Sequence, residues 1–148
     1  MLEQEKKTLI DFKNISKNFK GKTILENLNL EIYEGEILAL LGKSGCGKST
    51  LLKILLGLYP PNRGTIIFQN KNLTKNYKKI RELSGYVSQE NSFYEKLTVV
   101  ENLKFFAKLY KVKPKDIKFR IPFLLELVKL TASQDTLASN ISGGMKRR

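Results

Sequence analysis

Histidine is absent from the 148 residues, and cysteine occurs once, at Cys46. Without histidine the chain lacks the side chain most often used as a general base near neutral pH. Without a second cysteine no intrachain disulfide can form, which suits a reducing cytoplasm. Long apolar runs are missing too: none approaches the roughly 18 residues that a membrane-spanning helix requires. The opening Met1–Lys7 is polar and charged and no apolar segment follows it, so no secretory leader is expected. There are no internal repeats, low-complexity tracts or sustained heptads.

What is present suits one domain. Hydrophobic residues make up 41%, enough for a packed core, and 27 basic against 14 acidic residues leave a net charge of +13. Such a surplus is compatible with nucleic acid, an acidic membrane surface or plain solvated surface. The positive residues are spread along the chain. Their densest stretch, Lys71 to Arg81 with Lys75, Lys78 and Lys79 between, reads as solvated surface, with contact to a partner as the alternative.

The most specific segment is Gly42-Lys43-Ser44-Gly45-Cys46-Gly47-Lys48-Ser49-Thr50. It fits a glycine, four residues, then Gly-Lys-Ser/Thr, the pattern of a phosphate-binding loop. Glycines let the backbone turn tightly and present its amides to phosphate oxygens. Lys48 brings a compact positive charge to terminal phosphates, and the Ser49 hydroxyl can ligate magnesium. Ile37–Leu41 before the loop is an unbroken apolar run that reads as a strand buried on both faces in a parallel sheet. Lys48–Leu56 after it is rich in helix formers, with Gly57 as a stop. Strand, glycine loop and helix together aim a helix N-terminus at an anion.

Around this unit, Thr8–Asn14 and Leu28–Tyr33 are expected as strands, with Asn18–Lys22 a basic loop joining them and Glu34-Gly35 a turn. Gly64–Gln69 is a further strand, Asn76–Leu83 a short basic helix, and Gly85–Gln89 a strand entering a polar loop. Beyond it the pattern turns helical. Thr98 and Glu101 have capping-box spacing ahead of Leu103, Phe106 and Tyr110 on one face. Pro114 opens a second helix with an apolar stripe at Ile117, Ile121, Leu124, Leu125 and Val128, which Pro122 is expected to kink or split. Phe105, Phe106, Phe119 and Phe123 are expected in the core. Ser142 is a good N-cap with Gly143 and Gly144 behind it, leaving amides open to an anion. The expected organisation is α/β: a β-rich, phosphate-loop portion over residues 1–93 and a small α-helical subdomain over 94–148.

Taken together, Leu9 to Arg148 resembles the nucleotide-binding domain of ATP-binding cassette (ABC) transporters. Phe19 sits where that family stacks an aromatic ring on adenine, and Gly42–Thr50 matches its Walker A loop. Gln89, in Gly-Tyr-Val-Ser-Gln, matches the Q-loop glutamine, a magnesium and water contact whose loop touches the membrane subunit. Ser142-Gly143-Gly144 matches the signature motif, with Ile141 for the usual leucine and Met145 for the usual glutamine. The Met145-Lys146-Arg147-Arg148 ending and the Leu97–Leu103 segment resemble the exporter and multidrug branch.

The resemblance implies ATP and Mg²⁺ as ligands, with Lys48 and Gln89 contributing to chemistry and Ser49 and Gln89 to the metal. It also implies a second nucleotide-binding subunit, because the signature motif caps ATP held by the opposite subunit of a head-to-tail dimer. A separate transmembrane permease would hold the chain in the cytoplasm, peripheral to the membrane. In the family an aspartate-ending strand, a glutamate and a histidine follow the signature helix. The sequence reaches Arg148 without them, and Glu126 and Asp135 follow no apolar strand. The expectation is a P-loop core whose C-terminal strands are missing, which binds ATP-Mg weakly and hydrolyses little of it alone. The competing readings are a nucleic-acid-associated cassette ATPase and an inactive fragment. Against the first, only about fifty residues separate Gln89 from Ser142, with neither heptads nor cysteine clusters, and nucleic acid is not expected as a partner.

Overall fold

A computed structural model describes residues 6–75, 77–90 and 92–148. Asn76, expected to open the basic helix, lies outside the described residues. The chain forms two compact units; the first ends at Tyr86 and the second begins at Val87.

The first unit is built on an antiparallel sheet of order β2-β1-β3-β4, formed by β1 (Thr8–Phe19), β2 (Lys22–Tyr33), β3 (Arg63–Phe68) and β4 (Lys71–Asn72). The first hairpin is much longer than expected. Residues 18–22 are not a loop: β1 runs to Phe19, which pairs with Lys22. Lys20 and Gly21, both at positive φ (46° and 83°), make the connection, the geometry of the tight turns that match strand twist.

Irregular register hid the strand from periodicity. Asn14 sits at φ 52° and Asn27 at φ 45°, and the β1–β2 register shifts between Phe12 and Ile15 and again before Lys17. Burial changes parity there, from Ile10 and Phe12 to Ile15 and Lys17. Gly64 is required where β3 crosses this bulge. At φ +91°, its Cβ would lie 2.5 Å from the carbonyl oxygens of Lys13 and Asn14.

Helix α1 (Lys48–Leu55) lays Leu51 and Ile54 against the sheet's Phe12, Ile15, Leu25 and Ile66, the centre of the first core. It closes where the Gly57 amide reaches back to the Ile54 carbonyl and the Leu58 amide to that of Lys53. Helix α2 (Lys78–Leu83) adds Ile80 to the same core.

Two expected strands are corrected. Neither Ile37–Leu41 nor Gly85–Gln89 joins a ladder among the described residues. Ile37 is 100% exposed, Leu41 92% and Val87 88%. A strand is stable only when its amides and carbonyls find a neighbour, and the described strands offer these segments none.

The second unit consists of α3 (Val99–Leu109), α4 (Pro114–Leu127) and the short α5 (Gly143–Arg147), around a core of Val99, Ile121, Leu125 and Leu130. The capping box forms: Thr98 Oγ1 accepts from the Glu101 amide at 3.2 Å, and Glu101 Oε2 accepts from the Thr98 amide at 2.8 Å. Pro122 does not split α4, which runs through it. Pro122 and Lys118 are both exposed, so water can satisfy the carbonyl that the proline leaves without a donor. Ile117, Ile121, Leu125 and Val128 face the core as expected, whereas Leu124 is 42% exposed. Phe105, Phe119 and Phe123 are exposed rather than buried, and so is Tyr110. The core of this unit is filled from one side of α4 only, and its other side carries Phe119, Phe123 and Leu127 at helical spacing.

Candidate functional site: an anion cradle ahead of helix α1

The loop before α1 has no regular structure and lies largely exposed. Its last residue, Gly47, is the N-cap of α1, at φ 102° with no side-chain cap. The loop also packs closely at this point: a Cβ on Gly47 would lie 2.7 Å from Leu25 Cδ2 and 3.1 Å from the Ile24 carbonyl oxygen. Only glycine tolerates both the left-handed turn and the contact with the β2 backbone. The loop is thereby seated on the sheet, and α1 starts at a fixed place.

The amides of this stretch are largely unspent. Within residues 44–50 only the Cys46 amide donates, to the Lys43 carbonyl at 3.3 Å. Those of Ser44, Gly45, Gly47, Lys48, Ser49 and Thr50 have no acceptor among the described residues. Unspent N–H groups at a helix start, supported by the helix dipole, form a positive concentration suited to an anion.

Lys48 supplies the formal charge. Its Nζ lies 2.7 Å from the Gly42 carbonyl oxygen, 2.9 Å from that of Lys43 and 3.6 Å from Cys46 Sγ. The ammonium is thus held across the loop by neutral acceptors, which a phosphate oxygen can replace at a gain. Ser49 follows with an exposed hydroxyl. No group of three or more His, Cys, Asp or Glu side chains suited to a metal occurs among the described residues. The donors present fit a hard ion such as magnesium only in company with phosphate oxygens, Ser49 giving one ligand. Cys46 is free and exposed.

Phe19 closes β1 in the same unit. Its ring is 38% exposed and meets Tyr59 edge-on, with centroids 5.2 Å apart and planes at 74°. The connection to the loop is short. Lys17, two residues before Phe19, pairs with Leu25, the residue Gly47 rests on.

The other candidates belong to the second unit. Gln89 is exposed in an irregular stretch. Ser142 caps α5, its Oγ accepting from the Met145 amide at 3.2 Å, which leaves the hydroxyl proton free to donate. Gly143 and Gly144 are exposed, with nothing within 4 Å of where a Cβ would stand. Met145 faces inward against the second core, beside an apolar cavity of about 190 Å³ lined also by Phe93, Leu103, Phe106, Leu130 and Ile141. That packing is the physical reason for an apolar residue there.

Sequence reasoning missed Asn102. It is buried in α3, its Oδ1 accepting from the Tyr94 amide at 2.8 Å and its Nδ2 donating to the carbonyls of Tyr94 at 2.9 Å and Thr98 at 3.0 Å. It fixes the irregular segment leading into the helix. A polar residue at an apolar position of the periodicity was the available signal.

A family model described as ABC transporter matches residues 25–148. The ABC-type organic anion transporter ABCA8B of Mus musculus is 42% identical over 148 residues, covering 96% of this chain and 9% of that protein. The sulfate/thiosulfate import ATP-binding protein CysA of Pseudomonas aeruginosa is 36% identical over 146 residues, 94% of this chain and 43% of that protein. Among solved structures, cbiO1 from Clostridium perfringens, part of the ABC transporter complex cbiONQ, superimposes with a TM-score of 0.82 at 29% identity. The match covers 95% of this chain and 59% of that one. The chain therefore spans less than two thirds of each of these relatives.

Proposed function

The chain belongs to the ABC transporter family, and from that membership we propose that it binds ATP with magnesium through residues 42–50, as the ATP-binding component that powers a separate membrane-spanning partner. One observation carries the proposal: the unspent amides between Ser44 and Thr50, all but that of Cys46, lead into α1 beside a lysine held only by neutral acceptors. In this reading the amides and Lys48 hold the phosphates, and Ser49 and Gln89 ligate the metal. Phe19 stacks on the base. Bound magnesium neutralises phosphate charge; these residues orient the phosphates and the metal.

Ser142, Gly143 and Gly144 would cap nucleotide held by a second nucleotide-binding subunit, which the free Ser142 proton and the unobstructed glycines support. Residues 1–93 would serve as the nucleotide-holding portion and 94–148 as the helical subdomain. No helix among the described residues is long and apolar enough to cross a membrane. In this reading, as the family resemblance implies, a separate permease does the spanning and the chain is cytoplasmic and peripheral to the membrane. We assign it to the exporter and multidrug branch on the Met145–Arg148 and Leu97–Leu103 segments. The import protein among its relatives means that direction must be tested with the partner present.

Calorimetric titration with ATP-Mg tests the cradle. Replacing Lys48 by alanine is expected to weaken binding about tenfold or more, since a charge-assisted contact is lost. Equal affinity of Lys48→Ala and the unaltered chain would remove the basis of the proposal.

A further inference from the structure

Lys17 is buried at 8% exposure, and among the described residues no carboxylate pairs with it. Its ammonium donates to the Pro60 carbonyl at 2.6 Å. It also lies 5.0 Å from the centroid of the Phe19 ring and 6.0 Å from that of Tyr59. Tyr59 presses edge-on against Phe19 and carries Lys53 Nζ over its own ring at 5.6 Å. The segment that holds Tyr59 and Pro60 is tied to β1 twice: the Asn62 amide donates to the Ser16 carbonyl at 2.9 Å, and the Asn18 amide donates to Asn62 Oδ1 at 2.8 Å.

A buried cation with one carbonyl partner and no counter-ion is costly, and an apolar residue of the same length would serve packing better. The charge therefore calls for another role, and its position over the Phe19 ring supplies one. We propose that Lys17 and Tyr59 are positioning residues that set the Phe19 ring as a base platform, so that this site selects a nucleoside triphosphate over the bare phosphate chain. The inference rests on the reading of Phe19 as the adenine contact. Lys17 draws π density toward one face of the ring, and Tyr59 blocks one edge. The remaining ring surface is fixed in orientation and electron-poor, suited to the electron-rich face of a purine. The bulge at Asn14 matters here, because beyond it Ile15 and Lys17 are the buried positions of β1.

The test compares Kd for ATP-Mg with Kd for inorganic tripolyphosphate-Mg on the full chain. Lys17→Met keeps the stem and removes the charge; Lys17→Arg restores a cation; Tyr59→Leu removes the edge contact. Lys17→Met and Tyr59→Leu are each expected to weaken ATP about fivefold while leaving tripolyphosphate within about twofold, with Lys17→Arg recovering most of the loss. Circular dichroism confirms the fold of each variant, and Tyr59→Leu decides the matter if Lys17→Met does not fold. Unchanged ATP affinity in the folded variants, or equal weakening toward both ligands, overturns the inference. Phe19→Ala separates the two levels. If it weakens ATP selectively while the Lys17 and Tyr59 variants do not, the platform stands and the positioning role falls. If Phe19→Ala binds ATP normally, the platform itself is wrong, and the inference with it.

Discussion

Tyr77 packs its ring against Gly57, where a Cβ would lie 2.3 Å from the tyrosine Cγ, and its phenol oxygen is buried with no hydrogen-bond partner among the described residues. Burial of the oxygen also raises the phenol above its ordinary pKa. Two consequences follow at this single residue. Removing the oxygen in Tyr77→Phe is expected to raise stability by about 1 kcal/mol in urea unfolding, because an unsatisfied buried hydroxyl carries its desolvation cost uncompensated. The pH effect follows from the direction of the shift. A phenol titrating higher in the folded chain contributes stability that is complete below the unfolded value of about 10 and is lost as pH rises through the folded value. Alkaline destabilisation above about pH 10 is thus expected to be shallower in Tyr77→Phe than in the parent. A variant that loses stability at neutral pH would mean that the hydroxyl has found a partner.

Helix α3 shows how far short-range signals reach. Its start was legible because a capping box is a local device, with Thr98 and Glu101 three residues apart and both bonds formed. The glycine loop ahead of α1 and the Ser142 cap were legible for the same reason. The inner part of the β1–β2 hairpin, over residues 15–27, was not, although the outer pairs from Thr8↔Tyr33 to Phe12↔Leu30 lie within the two expected strands. Lys20-Gly21 lacks the usual turn composition, and the positive-φ Asn14 and Asn27 interrupt the alternation that marks a strand. Nor could periodicity tell which side of α4 would be covered: Phe119 and Phe123 fall on a second apolar side that no described element fills.

The capping box makes its own prediction. The Thr98 backbone amide, then the Thr98 hydroxyl, hold the Glu101 carboxyl below its ordinary pKa. Its contribution is therefore present above the unfolded value of about 4.3 and is lost as pH falls through the folded one. Thr98→Ala is expected to cost about 1 kcal/mol at neutral pH. Glu101→Gln is expected to flatten the loss of α3 protection below about pH 4, read by hydrogen exchange at Asn102 and Leu103. An acid profile identical in Glu101→Gln and the parent would show that the carboxylate bond does not stabilise the helix.

At the scale of the molecule, a net charge of +13 opposes an uncovered apolar segment. Ile37 and Leu41 are almost wholly in solvent, and no backbone bond engages Ile37–Leu41 among the described residues. Such a segment can pair edge to edge with another copy, while like charge keeps copies apart. Salt weakens the repulsion, since its range shrinks from about 10 Å at 0.1 M to about 3 Å at 1 M, and leaves the apolar attraction in place. The chain is therefore expected to self-associate as salt and concentration rise, seen as a growing weight-average mass in sedimentation. The double variant Ile37→Glu, Leu41→Lys leaves net charge unchanged and removes apolar side chains that bury almost nothing. It should keep the thermal midpoint of the parent at low salt and associate far less at high salt. Equal association of the double variant and the parent would place the attraction elsewhere, with Phe119 and Phe123 on α4 the next side chains to replace, and a drop in the midpoint would show that Ile37–Leu41 is covered after all.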